Sequence, residues 1–395
     1  MARSAEALVK PALLVWGRKT AHLDETAAAK RIGVNPSVLA SWESGESRPT
    51  FVQLRKIAEV YKRPLAVFYL PEPPITFDAM RYFRRLPEAP EPEMSPELVF
   101  HLRAAEARRE VVLELAGEIG VEVRSFDLKA AVDEPAHEVA RRAREYIGIT
   151  VEQQRRWKNP DEAYRRWREA LETAQILVFQ LTKVPVEAAR GFSIAADRFP
   201  VIAVNGKDAA NGKTFSLFHE LGHLILRQGE LLDAAVVAPL AVSSDAVEVF
   251  CNEFAGAFLV PAEVLDAVTP VQPGERRTDL DPSETKRLAQ EFSVSQEVIL
   301  RRFLVTRRIS EKLYKEMRTS FQQGASAAQK AKKSKAIIVP PYRKAIAQLG
   351  RPYIRAVLGA YHQDRITLSA VSEYLGVKTR HLPKIEASVF TGGGE

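Results

Sequence analysis

The pentapeptide His219-Glu220-Leu221-Gly222-His223, inside the apolar run Phe215 to Leu226, limits what this chain can fold into more than any other stretch. An apolar run around two histidines predicts a helix with one face in a core. Residues four apart on a helix share a face, so His219 and His223 can aim two imidazole nitrogens at one tetrahedral ion. Glu220 then stands beside that ion. There it can take a proton from a metal-activated water and hand it to a leaving amine.

A mononuclear hydrolytic zinc needs a third protein ligand and an open fourth position for water. Glu248 is the natural candidate, on a helix expected from Ala246 to about Pro261 with Val247, Phe250, Cys251, Phe254 and Phe258 at core spacing. Asn252 follows Glu248 by four, shares its face, and is expected to orient the carboxylate. On spacing alone, Glu248 reads equally well as a solvated helix residue.

Residues Arg190 to Pro261 resemble the ImmA/IrrE family of zinc-dependent metallo-endopeptidases. The resemblance rests on Arg190-Gly191-Phe192-Ser193, Pro200 to Asn205, the His219 to His223 motif, and Glu248 to Ala255 closing at Leu259-Val260-Pro261. It implies one Zn2+ per chain held by His219, His223 and Glu248, with Glu220 as the catalytic base. It also implies a zincin-like HExxH fold.

The N-terminal part has a different character. Thr26 to Ile32 reads as a short helix broken by Gly33; Asn35 or Ser37 caps a second helix running to about Ser44, which Gly45 stops. Two helices joined by a glycine turn are the unit that lays its second helix in the major groove of DNA. Ile32-Gly33-Val34, Trp42-Glu43-Ser44-Gly45, Pro49-Thr50 and Gln53 to Ala58 resemble the Xre class of phage-repressor-like domains, with Trp42 as core. The second helix departs from that class: it offers Asn35, Ser37 and Ser41 where Gln or Arg would read base edges. Phosphate contacts to DNA then fall to Lys30, Arg31, Arg48, Arg55 and Lys56, the alternative being that the domain docks a protein.

The fold class expected is mainly α with a small β-sheet (α+β). An Xre-like domain is expected over 1–75, a linker and helical bridge over 76–175, the peptidase-like domain over 176–320, a lysine-rich linker over 321–340 and a helical module over 341–395. Prolines at Leu70 to Pro74 and Leu86 to Pro96 mark extended segments. Helices are expected over Pro96 to Gly117, His137 to Tyr146 and Asp161 to Thr173, with His101 and His137 in surface or capping roles rather than as metal ligands. Strands are expected at Ile176 to Gln180 and Pro200 to Asn205, a sheet whose edge could hold an extended substrate. Helices follow over Glu284 to Phe292 and Ser295 to Val305. The last segment carries a helix-turn-helix cadence at Leu368 to Val377 that suits protein docking or dimerisation.

At 395 residues and 46% hydrophobic content, several cores are affordable. A single cysteine, Cys251, excludes an intramolecular disulfide framework and sits at a core position. No run has the length of a membrane span, and Met1 to Lys10 lacks the pattern of a signal peptide, so a cytoplasmic protein is expected. The net charge of +7 permits nucleic-acid binding without requiring it.

The fused arrangement resembles Xre domains joined to ImmA/IrrE peptidases. That resemblance implies a regulatory protease cleaving an Xre-type repressor in a stress, phage or mobile-element response, with duplex DNA, a toxin or neighbouring gene product, and a second copy as further partners. The contrasting reading is a non-proteolytic transcription regulator or antitoxin whose metal domain is structural or sensory. The intact Glu220 favours the first, because a structural zinc needs no base and is normally closed by four protein ligands.

Overall fold

The computed structural model describes residues 5–74, 95–232, 244–268, 276–331 and 339–390. It is mainly helical with one small sheet, as expected. The arginine-rich stretch with Arg81, Arg84 and Arg85, and Lys332, Lys333 and Lys335, lie outside the described residues. Contacts divide the chain into two compact units, 1–107 with 183–188, and 108–182 with 189–395. The helical bridge expected over 76–175 is therefore shared between them.

In the first unit, α1 (Pro11–Thr20), α2 (Glu25–Ile32), α3 (Pro36–Ser44) and α4 (Phe51–Tyr61) surround a core in which Leu13, Leu39, Leu54, Ile57 and Tyr61 are fully buried. Local chemistry sets each boundary. The Asp24 side chain accepts from Ala27 N–H at 2.7 Å to start α2, and Gly33 ends it at φ +87°, a left-handed conformation that glycine adopts without penalty. Asn35 starts α3 by accepting from Ser37 N–H, and Gly45 stops it at φ +85°. Thr50 and Gln53 form a reciprocal capping box on α4. Trp42 is core, as expected. A buried fork-to-fork pair ties α1 to α3: Arg18 Nε and Nη2 each donate to Glu43 at 2.8 Å. The long helix α5 (Pro96–Glu118) follows.

The second unit contains α6 (Ala136–Ile147), α7 (Val151–Arg155), α8 (Pro160–Thr173), β1 (Leu177–Leu181), β2 (Gly191–Ile194), β3 (Val201–Asn205), α9 (Ala210–Leu232), α10 (Ser244–Leu259) and α11 (Ala262–Val268). It continues with α12 (Pro282–Glu291), α13 (Gln296–Val305), α14 (Glu311–Ala331), α15 (Pro341–Leu349), α16 (Arg351–His362), α17 (Leu368–Leu375) and α18 (Leu382–Phe390). The strand order is β1-β3-β2, with β1 parallel and β2 antiparallel to β3. All five residues of β3 are buried, which is why the central strand reads as a continuous apolar run rather than an alternation. Beneath α9 the core centres on Trp167, edge-on to Phe218 at 5.0 Å and to Phe258 at 5.3 Å, while Phe218 and Phe258 stack at 4.0 Å.

The C-terminal helices are fastened to this core. Arg168 Nε donates to Glu172 at 2.8 Å, Nη2 to the Val178 carbonyl at 2.6 Å and Nη1 to the Ala347 carbonyl at 2.7 Å, linking α8, β1 and α15. Two expectations need correction. Residues Gln322 to Ala331 continue helix α14 rather than forming a linker, because the alanines, glutamines and Lys330 are strong helix formers that outweigh one glycine. His101 is buried rather than superficial.

Candidate metal centre

Helix α9 delivers the two histidines and α10 the carboxylate, and the distance between the helices is set at the motif glycine. A side chain at Gly222 would have its first carbon 3.2 Å from Cys251 Sγ and 3.2 Å from Phe254 Cδ1, so glycine lets α10 approach closely. Cys251 is a fully buried thiol packed at this contact. It is core, as its position in the helix implied.

The approach brings three donor groups together. His219 Nε2 and His223 Nε2 lie 3.2 Å apart, and Glu248 reaches His219 through Oε2 at 3.3 Å and His223 through Oε1 at 3.2 Å. Among the described residues this is the one cluster of three or more metal-binding side chains. His101, His137, His362 and His381 stand apart from it. A tetrahedral ion with bonds of about 2.0–2.1 Å spaces its donors about 3.3 Å apart, so the triangle fits zinc. The chemistry agrees: two imidazole nitrogens and a carboxylate converging on one point repel unless protons or a cation lie between them. Hydrogen bonds from His219 and His223 hold the Glu248 carboxyl well below the usual carboxylate range. Burial opposes the charged form of His219, yet the hydrogen bond to Glu248 and the nearby Glu220 and Glu248 charges outweigh it and raise its pKa.

Glu220 is buried, at 8% exposure, and wedged against the first residue of β2. A Cβ at Gly191 would lie 2.9 Å from Glu220 Oε1 and 2.8 Å from the Ala203 carbonyl, so only glycine admits the carboxylate here. Strand β2 is missing from the sequence reading, although its residues belong to the family resemblance. It is an edge strand, pairing with β3 alone among the described residues. Beside the cluster, a cavity of about 390 Å3 lies between α9, α10 and α13, bordered by Phe215, Gly256 and Val298. Phe215 stacks on His219 at 6.3 Å.

Asn252 corrects an expectation. Its Nδ2 donates to the Glu248 main-chain carbonyl at 2.8 Å and its side chain also hydrogen-bonds His219, so it supports a histidine of the cluster rather than the Glu248 carboxylate. Sharing a helix face does not fix a rotamer, and the carbonyl one turn back is the nearer acceptor.

Residues 161–304 match the IrrE N-terminal-like domain (peptidase M78), and residues 16–68 match a helix-turn-helix model. The chain joins a helix-turn-helix domain to an IrrE-like domain. No match is found among curated proteins. A solved structure, a Mycobacterium tuberculosis transcriptional regulator, is similar over 50% of this chain and 51% of its own, with 16% identity and a TM-score of 0.29. The chain thus spans about half the length of that protein, and so loose a likeness carries no argument. No described helix is long and apolar enough to cross a membrane.

The helix-turn-helix domain presents its candidate DNA contacts unevenly. Asn35 and Ser37 are engaged with each other at the start of α3, through Ser37 Oγ to Asn35 Oδ1 at 2.9 Å. Ser41 bonds the Val38 carbonyl and Ser47. Arg31 pairs with Glu97 at 3.1 Å. Lys30 and Arg48 are exposed.

Proposed function

We propose that the IrrE-like domain is a zinc-dependent endopeptidase of regulatory role, with His219, His223 and Glu248 as metal ligands and Glu220 as general base. The observation that carries this reading is the convergence of three donor atoms at zinc spacing beside a buried carboxylate. When bound, the zinc supplies a Lewis acid that polarises the scissile carbonyl and makes water a nucleophile near neutral pH. The Glu220 carboxylate accepts the proton of the attacking water and delivers it to the leaving amide nitrogen. The close approach of Gly191 to that carboxylate favours a fixed orientation for proton transfer. The edge of β2 is suited to receive an extended peptide by strand addition, and the cavity bordered by Phe215 to receive one of its side chains.

A protein substrate follows from this chemistry, and a repressor of the Xre type suits the attached helix-turn-helix domain. That domain ties proteolysis to gene control by contacting duplex DNA. The test is Glu220→Gln, assayed for zinc content and for cleavage of a repressor encoded beside this chain. Zinc and fold should be retained while cleavage falls by about 10²–10⁴-fold. Cleavage at the parental rate would remove Glu220 from the chemistry. Retained regulation in cells by Glu220→Gln, with loss in His219→Ala, would make the metal domain structural or sensory.

A further inference from the structure

Helix α5, helix α15 and the turn after α17 enclose a cavity of about 540 Å3 remote in sequence from the metal ligands. Its lining is strongly cationic. Arg108 contributes from α5, Lys344 from α15, and Lys378, Arg380 and His381 from the segment after α17, against one carboxylate, Glu373. With the histidine neutral, three positive charges are in excess.

Arg108 is the decisive member. Its guanidinium lies 5.4 Å over the Phe179 ring. Burial pulls its pKa down, and no carboxylate counteracts that pull. Among the described residues it has no hydrogen-bond acceptor. A guanidinium does not shed its proton in a protein, so this desolvation cannot be relieved by neutralisation. An anion in the cavity would offset that cost beyond what the nearby Tyr353 does. Lys344, Lys378 and Arg380 are exposed around it. The fold brings them there through Gly376, whose left-handed φ of +60° reverses the chain so that Lys378 to His381 border the same cavity as α15.

We propose that this cavity binds a phosphorylated small molecule, with its phosphate on Arg108 and Lys344, Lys378 and Arg380 around it. A phosphate dianion matches the charge excess better than a carboxylate, and its oxygens suit the planar fork of an arginine. The volume lies in the range of small-molecule sites, about 300–1,000 Å3. A duplex lying across the surface would meet the exposed cations without needing the half-buried Arg108.

The experiment is calorimetric titration of the full chain, stripped of metal, with pyrophosphate. One pyrophosphate should bind per chain. Arg108→Gln should weaken it at least about tenfold, a loss of about 1.4 kcal/mol. The exposed pair Lys378→Ser with Arg380→Ser should weaken it comparably without touching the core, which keeps the test valid if Arg108→Gln unfolds. Lys315→Ser, on α14 and outside this lining, should leave it unchanged. The proposal is overturned by absence of saturable binding, or by binding that the exposed double variant leaves intact. It is also overturned if that variant loses duplex DNA affinity while keeping pyrophosphate, which would make the cluster a nucleic-acid contact.

Discussion

Among the described residues the metal-binding cluster has His219, His223 and Glu248 as its members, so each donor of the triangle depends on the other two. Removing a donor leaves two, too few to compete with water and buffer for the ion. His219→Ala and Glu248→Ala should each lower zinc in dialysed protein from one per chain to a small fraction, measured by elemental analysis. Stoichiometric zinc in either variant would strike that residue from the ligand set. At this scale the sequence was informative where helix periodicity does the work. The four-residue spacing of the histidines brought those two donors together, while Glu248, ambiguous on spacing alone, came from the family resemblance. The sequence was uninformative where a rotamer or a close approach decides. Asn252 shares the face of Glu248 yet bonds its main chain. The need for glycine at position 191 arises where β2 meets the Ala203 carbonyl of β3 and the Glu220 side chain, contacts between segments distant in sequence.

Helix positions were legible because caps and glycine stops are local; strand β2 was not, because Gly-Phe-Ser-Ile is too short to show a period and is stabilised by pairing with β3. Helix α15 went unread for a related reason: its burial against β1 and α18 is tertiary. The pairing of α9 with α10 offers a test at this scale. In a helix interior, replacing glycine with alanine gains about 1 kcal/mol of propensity. At Gly222 the added methyl must displace Cys251 Sγ and Phe254 Cδ1, each 3.2 Å away, by a few tenths of an ångström. Such overpacking costs about 1–3 kcal/mol. The two effects oppose, so Gly222→Ala should change the melting temperature little. Zinc affinity should nonetheless fall, because the strain is relieved by moving α10 and with it Glu248. Chelator competition measures this. Parental affinity in a folded Gly222→Ala protein would show that the helix separation does not set the site.

At the scale of the whole chain, the excess of seven positive charges is an electrostatic property rather than a fold property, and its use depends on where the charges stand. In the helix-turn-helix domain the second helix, α3, carries no basic residue, and Asn35, Ser37 and Ser41 are occupied by local hydrogen bonds. On these residues α3 offers little for base reading, and DNA affinity is expected to rest on phosphate contacts at its flanks. Arg31 is partly neutralised by Glu97, which leaves Lys30 and Arg48 as the principal exposed cations beside the turn and the end of α3. Phosphate contacts release counterions, so the logarithm of the affinity should fall linearly with that of salt, with a slope of about 0.9 per contact. Replacing Lys30 and Arg48 together by serine should reduce the slope of the full chain by about 2 and weaken binding similarly on unrelated sequences. Fluorescence anisotropy of labelled duplexes over a salt series gives both quantities. An unchanged slope would place the DNA contact elsewhere, and an absence of binding even at low salt would make the domain a docking surface for the protein substrate.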